Sequence, residues 1–177
     1  MDVAGLALLF GYGIGRLGCH FSGDGDWGIA NPYDKPFSWF PDWLWAYNYP
    51  NNIAKDCSSY TFNMEQLNAN CDWDATKYII DPVWTTSPSE TIISFILLAI
   101  LWNIRKRIKV AGVLFFIFLM FYGLERFLIE FIRINHRYEG FFNLTQAQII
   151  SLSFVPVSLI AIWYLRKRSQ EGNPVIF

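Results

Sequence analysis

Four apolar runs divide the chain, and each stops at charged residues. They are Val3 to about Leu17, Glu90–Trp102, Val110–Ile134 and Thr145–Leu165. The second is closed by Arg105-Lys106-Arg107-Ile108-Lys109 and the last by Arg166-Lys167-Arg168. In hydrocarbon every backbone N–H and C=O must be satisfied inside the segment, so runs of this kind fold as helices. A span takes about 20 residues, with a usual range of ~17–25. The expected fold class is therefore an all-α integral membrane protein with about four transmembrane helices, over 3–20, 90–109, 110–134 and 145–166. A long irregular outer-face loop, 21–89, separates the first two, and the whole of 1–177 forms a single membrane domain.

Composition agrees. The chain is 53% apolar and 19% aromatic, above the ~45–50% apolar of soluble domains. Its net charge of -1 gives no electrostatic case for nucleic acid. Cys19, Cys57 and Cys71 form no CxxC and no metal-ligand spacing. Cys57 and Cys71 share one polar loop, and either pair there or stay as two thiols. Asp2 stands where a signal peptide would carry a basic region, so the first run reads as a retained membrane segment. The basic clusters at 105–109 and 166–168 belong on the cytoplasmic side. That rule places the 21–89 loop and the Asn135–Asn143 connection at the outer face.

The loop carries the turn signals Asn31-Pro32, Lys35-Pro36, Phe40-Pro41, Tyr49-Pro50 and Asp81-Pro82. Trp39, Trp43 and Trp45, with their aromatic neighbours, suit either a lipid–water interface or a small packed loop core. A short strand is expected near Lys77–Ile80. Pro156 is expected to kink the last helix.

Two stretches carry chemistry. The first, Gly11–Gly28, reads GYGIGRLGCHFSGDGDWG. Gly11, Gly15 and Gly18 can share one helix face and admit a close neighbour. Arg16 sits beside apolar sequence, where a guanidinium must snorkel or find an anionic partner. Gly13–Gly18 formally matches the dinucleotide pattern GxGxxG, but that pattern needs a strand before it. An apolar, helix-like run precedes it here, and the dinucleotide reading is rejected. The stretch reads as half of a site for an anionic lipid head group.

The other half lies in the third run. Tyr122, Arg126, Glu130 and Arg133 are spaced to share one helical face. Arg126–Glu130 can be a self-satisfied i, i+4 pair, or the stripe can face a ligand with Arg16. Guanidinium forks bind phosphate bidentately and can stabilise a leaving phosphate. His20 is either a base or an interface histidine. Cys19 is either a nucleophile or an inert thiol. His136 reads as a solvated loop residue.

These residues resemble prolipoprotein diacylglyceryl transferases, integral membrane enzymes that first modify bacterial lipoproteins. The likeness rests on Gly15-Arg16-Leu17-Gly18-Cys19 continuing to Asp24 or Asp26 and Gly28. It rests also on Tyr122-Gly123-Leu124-Glu125-Arg126-Phe127 with Glu130 and Arg133, on Leu144-Thr145-Gln146-Ala147-Gln148, and on Thr86–Glu90. The GDGDWG form and the tryptophan-rich loop resemble the version seen in Bacteroidetes-type bacteria. The resemblance implies transfer of the diacylglyceryl group of phosphatidylglycerol to the cysteine thiol of a prolipoprotein signal peptide. It implies no metal and no soluble cofactor, and a place in the bacterial cytoplasmic membrane with the site at the outer face. Arg16 and Arg126 would hold the lipid phosphate, supported by Tyr122 and Glu130. Gly15, Gly18, Cys19, Asp24, Asp26, Gly28, Arg133 and Gln148 would complete the substrate site.

The chain departs from the family at Cys19, where asparagine is usual, and at Thr85 and Ser89, which replace a proline and a tyrosine. It has one extra residue between Arg16 and Gly28, so Asp24 and Asp26 compete for one acidic position. Nothing before Arg16 resembles the family's upstream spans and His-Gly-Gly motif. The sequence thus reads as the C-terminal portion of such an enzyme, or as a non-catalytic lipid-binding subunit that kept the phosphate site. A membrane phosphatase or phosphotransferase would need more histidines than His20 and His136.

Overall fold

A computed structural model describes residues 1–50, 52–53, 82–133 and 144–171. It is mostly helical: α1 (Asp2–Ser22), a short α2 (Asp42–Trp45), α3 (Thr86–Ile104), α4 (Val113–Ile129) and α5 (Gln146–Gln170). Two short strands, β1 (Ala46–Tyr47) and β2 (Val83–Trp84), complete it. The chain divides into two compact units. Cys57, Cys71, the Lys77–Ile80 strand, the Asn135–Asn143 connection and His136 lie outside the described residues.

The first unit is helical and takes Met1–Ile14, Glu90–Phe131 and the chain from Asn135 on. Its core is Leu6 and Leu9 of α1, Leu101 of α3, and Leu114 and Phe118 of α4. Close approach is made at glycines. A Cβ on Gly5 would lie 3.2 Å from the Phe118 ring, and one on Gly13 would lie 3.3 Å from Ser94 Cβ. Thr91 Oγ1 donates to the Gly13 carbonyl at 3.1 Å. On α4, a Gly123 side chain would meet Phe154 Cβ at 2.8 Å and the Ser151 carbonyl at 2.9 Å, so α4 and α5 pack along each other there. The Asp2 carboxylate accepts from the backbone N–H of Gly112 and of Phe115, each at 3.0 Å. It thereby satisfies donors that the first turn of α4 leaves unpaired.

This pattern corrects one expectation. Gly11, Gly15 and Gly18 have open space where a Cβ would stand. The buried face of α1 runs through Gly5, Leu9, Gly13, Arg16 and His20, and these three glycines lie on the opposite, exposed face. Their spacing was right for a helix, but a helix period does not say which face a neighbour takes.

Asp2–Ser22, Thr86–Ile104 and Gln146–Gln170 are each long and apolar enough to cross a membrane. α1 is continuous through Arg16. Gly13–Gly18 is helical, which removes the strand-first context of a dinucleotide loop. Outward-facing Leu8, Phe10, Ile96, Ile100, Ile160 and Trp163 are exposed, an arrangement at odds with water as the only solvent. α4 is a 17-residue helix. It ends at Ile129 rather than 134, because the following backbone leaves to pair with the loop unit's strand-like segment. α5 runs unbroken through Pro156.

The second unit comprises Gly15–Ser89 with Ile132 and Arg133. β1 and β2 pair antiparallel, with Ala46 opposite Trp84 and Tyr47 opposite Val83. The segment around Gly28 threads between two partners. Gly28 N–H donates to the Trp84 carbonyl at 2.9 Å, and Ile29 N–H donates to the Ile132 carbonyl at 2.8 Å. Trp27, Tyr49 and Val83 form its core. The tryptophans differ in burial. Trp45 packs edge-on against Trp84 at 4.6 Å and donates Nε1–H to the Tyr33 carbonyl at 3.0 Å. Trp39 and Trp43 are exposed.

Candidate active site

The helical unit holds one polar cluster among apolar side chains. Glu90, at 0% exposure, enters it from α3. The Tyr12 hydroxyl donates to Glu90 Oε2, and Arg126 Nη1 lies 3.5 Å from the same oxygen. The Tyr12 and Tyr122 rings meet edge-on with centroids 5.3 Å apart. Thus the carboxylate partner of Arg126 comes from another helix, as well as from any neighbour on its own.

Glu130 follows α4 as its C-cap residue and is 1% exposed. Its Oε1 accepts from Thr145 Oγ1 at 3.0 Å. Thr145 is also the N-cap of α5: its Oγ1 accepts from Gln148 N–H at 3.2 Å, while its own N–H donates to Gln148 Oε1 at 3.0 Å. This capping box fixes three side chains at once. Gln148 Nε2 is buried with no hydrogen-bond partner among the described residues. Below Tyr12 and Tyr122 lies an apolar cavity of about 610 Å³, lined also by Leu8, Phe115, Phe118 and Phe154.

The loop unit holds a second cluster. The Asp26 carboxylate bridges two guanidiniums: Arg16 pairs with its Oδ2 and Arg133 with its Oδ1. Thr86 Oγ1 and Ser87 Oγ each donate to the Asp26 carbonyl at 2.9 Å, fixing the backbone that carries this carboxylate. Of the two competing acids, Asp26 is therefore the one between the arginines. Asp24 is exposed, and its Oδ1 accepts from Asp26 N–H at 3.3 Å. Cys19 Sγ and the carboxylates of Asp24 and Asp26 lie within 4.8 Å of one another. Asp26 already faces two cations, so the cluster's charge is committed to arginine.

Arg133 reaches Asp26 from outside α4, in an antiparallel bridge with Gly28. The expected four-residue helical stripe is thus three residues, Tyr122, Arg126 and Glu130, with Arg133 turned into the other unit. Gly28 is there because nothing larger fits: a Cβ would stand 2.9 Å from Trp84 Cβ and 3.0 Å from the Ile132 carbonyl.

Residues 1–164 match the family model described as prolipoprotein diacylglyceryl transferase. The chain belongs to that family. It is 24% identical over 176 residues, 99% of its length, to phosphatidylglycerol–prolipoprotein diacylglyceryl transferase 1 of Clostridium perfringens, of which it covers 56%. It is 29% identical over 168 residues to the transferase of Erwinia tasmaniensis, covering 92% of this chain and 51% of the relative. A shorter match of 89 residues, 36% identical, joins it to the Aeromonas hydrophila transferase, with 49% of this chain and 31% of the relative aligned. The chain spans about half the length of the relatives it matches end to end.

Within this diacylglyceryl transferase family member, sequence reasoning missed Tyr12, Glu90 and Thr145 as parts of the polar clusters. Glu90 had a readable signal, an acid heading an apolar run, where an ionisable group needs a partner. Thr145 was readable as a cap three residues before Gln148. Tyr12 had none, since its partner is 78 residues away.

Proposed function

We propose that this chain takes part in transferring the diacylglyceryl group of phosphatidylglycerol to the cysteine thiol of a prolipoprotein. In that reaction the thiol sulfur bonds to the glyceryl carbon, the carbon–oxygen bond to phosphate breaks, and glycerol phosphate leaves. The thiol proton goes to a base that this reading leaves unassigned. The observation that carries the proposal is a half-buried Arg126 whose carboxylate partner, the buried Glu90, also accepts from the Tyr12 hydroxyl. A guanidinium held this way exchanges a carboxylate for a phosphate of the same bidentate geometry.

Arg126 and Arg16 act as phosphate-binding residues, each at its own cluster. Asp26 keeps Arg16 and Arg133 oriented until an anion arrives. Tyr122 donates to a phosphate or glycerol oxygen, and Gln148 Nε2 offers a further donor. Glu130, held by Thr145, orients the cluster or moves a proton. Gly28 admits the backbone pairing that brings Arg133 to Asp26. Gly15, Gly18, Cys19 and Asp24 flank these groups as substrate contacts.

The protein is a multi-pass component of the bacterial inner membrane, with four spans including α4, its basic runs in the cytoplasm and its substrate site at the outer face. Its partners are phosphatidylglycerol and prolipoprotein signal peptides. The test is direct. Protein in phosphatidylglycerol nanodiscs is mixed with a synthetic lipobox peptide, and the peptide is followed by mass spectrometry. A gain of one diacylglyceryl group per thiol is the expected result. An unchanged peptide, with the protein folded and phosphatidylglycerol present, would reject transfer by this chain.

A further inference from the structure

The loop unit contains a cavity of about 360 Å³ that the transfer reading does not use. It opens at the end of the candidate span α1, lined by His20, Phe21, Gly23, Trp43, Tyr47 and Tyr49. Its walls are rings. The His20 imidazole centroid lies 5.7 Å from Phe21, 5.8 Å from Trp43, 5.7 Å from Tyr47 and 5.4 Å from Tyr49.

The walls are fixed at a conformational cost. Tyr49 has φ 47, the one described non-glycine residue at positive φ. A bulky side chain rarely takes that conformation, and Pro50 after it disfavours it further. Strain of this kind persists where surrounding contacts enforce it, and it concentrates at functional positions. Here the contacts are visible. Tyr49 Oη lies 3.1 Å from His20 Nδ1, and Ile53 N–H donates to the Ser22 carbonyl at 3.1 Å. At Gly23, φ +61, a Cβ would stand 2.7 Å from Asn52 Cβ and 3.6 Å from the Tyr49 ring, so Tyr49 and Asn52 are pressed against the end of α1.

The electrostatics favour one charge. No lysine or arginine is among the described lining residues. Burial keeps the Tyr49 phenol neutral by raising it, and the nearby Asp24 carboxylate, which raises it further, is the contribution that sets a sign. The negative faces of several rings, with a carboxylate beside them, attract a cation. The cavity also sits where a membrane span ends, and exposed Phe21 and Trp43 are the residue types that collect at head-group depth.

We propose that this aromatic cavity binds an alkylammonium group, carried by a phospholipid head or by a free amine. Phosphatidylglycerol has no ammonium, so this is a different ligand from the lipid donor, and the inference stands whether or not the chain catalyses transfer.

The experiment uses the full chain in nanodiscs of phosphatidylglycerol alone. Choline is titrated against its neutral isostere, 3,3-dimethylbutan-1-ol, by saturation-transfer NMR. Saturable binding of choline at least about tenfold tighter than the isostere is expected. Equal binding of the two would make the cavity a plain apolar pocket and overturn the proposal, as would no binding of either. Trp43→Leu with Tyr47→Leu keeps apolar volume but removes two π faces, and should weaken choline about tenfold or more. Undiminished binding by a folded double variant would also overturn it. Adding phosphatidylethanolamine to the nanodisc separates the sources: competition with choline assigns the site to a lipid head, and no competition assigns it to a soluble amine.

Discussion

Arg126 Nη1 stands 3.5 Å from Glu90 Oε2, and the two side chains come from different helices, α4 and α3. Glu90 is fully buried, and the Arg126 side chain is 17% exposed. Two charges out of water hold only while both are present and hydrogen-bonded. The pair is a joint between helices, and the proposed function also makes it an anion site.

Removing either partner should expose this dual role. Glu90→Ala takes away the carboxylate that Arg126 faces from α3 and should destabilise the protein, by less than the about 3–5 kcal/mol lost from a fully buried pair. Arg126→Lys keeps the charge but loses the planar fork. It should retain most of the thermal stability yet lose lipid-phosphate binding. Thermal unfolding in detergent, beside binding of short-chain phosphatidylglycerol, separates the two. Full binding by Arg126→Lys would remove the bidentate argument.

Gly28→Ala should destabilise the protein by about 1–3 kcal/mol, because its Cβ meets Trp84 and a backbone carbonyl that cannot withdraw. Gly15→Ala and Gly18→Ala should be neutral, or stabilising by up to about 1 kcal/mol, since they add a helix-favouring residue in open space. Unfolding midpoints of the three variants, compared in one detergent, check the contrast. A reversed order would mean that the close approach is made at the other glycines.

How far these positions were legible follows from the range of the interactions. The apolar runs, the capping box at Thr145 and the i, i+4 relation of Tyr122 to Arg126 are local, and local periodicity carries them. The exit of the chain from α4 at Ile129 is not local. No residue type in the sequence 130–134 breaks a helix; the Gly28–Ile29 segment, over a hundred positions away, takes the backbone of Ile132 and Arg133. The choice between Asp24 and Asp26 was undecidable for the same reason, since it turns on which carboxylate meets Arg133. The glycine face of α1 was misread because a repeat of small residues identifies a stripe but not its neighbour.

Asp26→Asn should disable the second cluster. Two guanidiniums would face a neutral amide, and their repulsion would turn Arg133 away. Asp24→Asn removes an exposed charge that lies outside the Arg16–Asp26–Arg133 bridge, and should have the smaller effect. Membrane-bound lipidation activity of the two variants is the comparison. Equal loss in both would mean that the acids share the role.

Tyr49 gives the molecule an alkaline limit. Its phenol is held above the ordinary value by burial first and by Asp24 second. The folded state thus keeps a proton that the unfolded state has lost above about pH 10. The stability tied to this phenol is complete below that pH and falls as pH rises past it. Tyr49→Phe should flatten the decline in unfolding midpoint above about pH 10. A decline as steep as the parent's would assign the alkaline limit elsewhere.

Thr145→Ala removes the N-cap of α5 and the donor to Glu130 together. The cap alone is worth about 0.5–2 kcal/mol. Thr145→Ser restores both hydrogen bonds and should restore both stability and activity. Recovery of stability without activity would separate Glu130 from the chemistry.

The measurement that bears most directly on the account is complementation. The chain is expressed in a bacterium depleted of its own transferase, and a reporter prolipoprotein is followed by its gel shift. The account predicts conversion of the reporter, abolished by Arg16→Ala and by Arg126→Ala while both variants remain in the membrane at parental levels. A reporter left unconverted by the stably inserted parent chain, or converted as well by either variant, would contradict it.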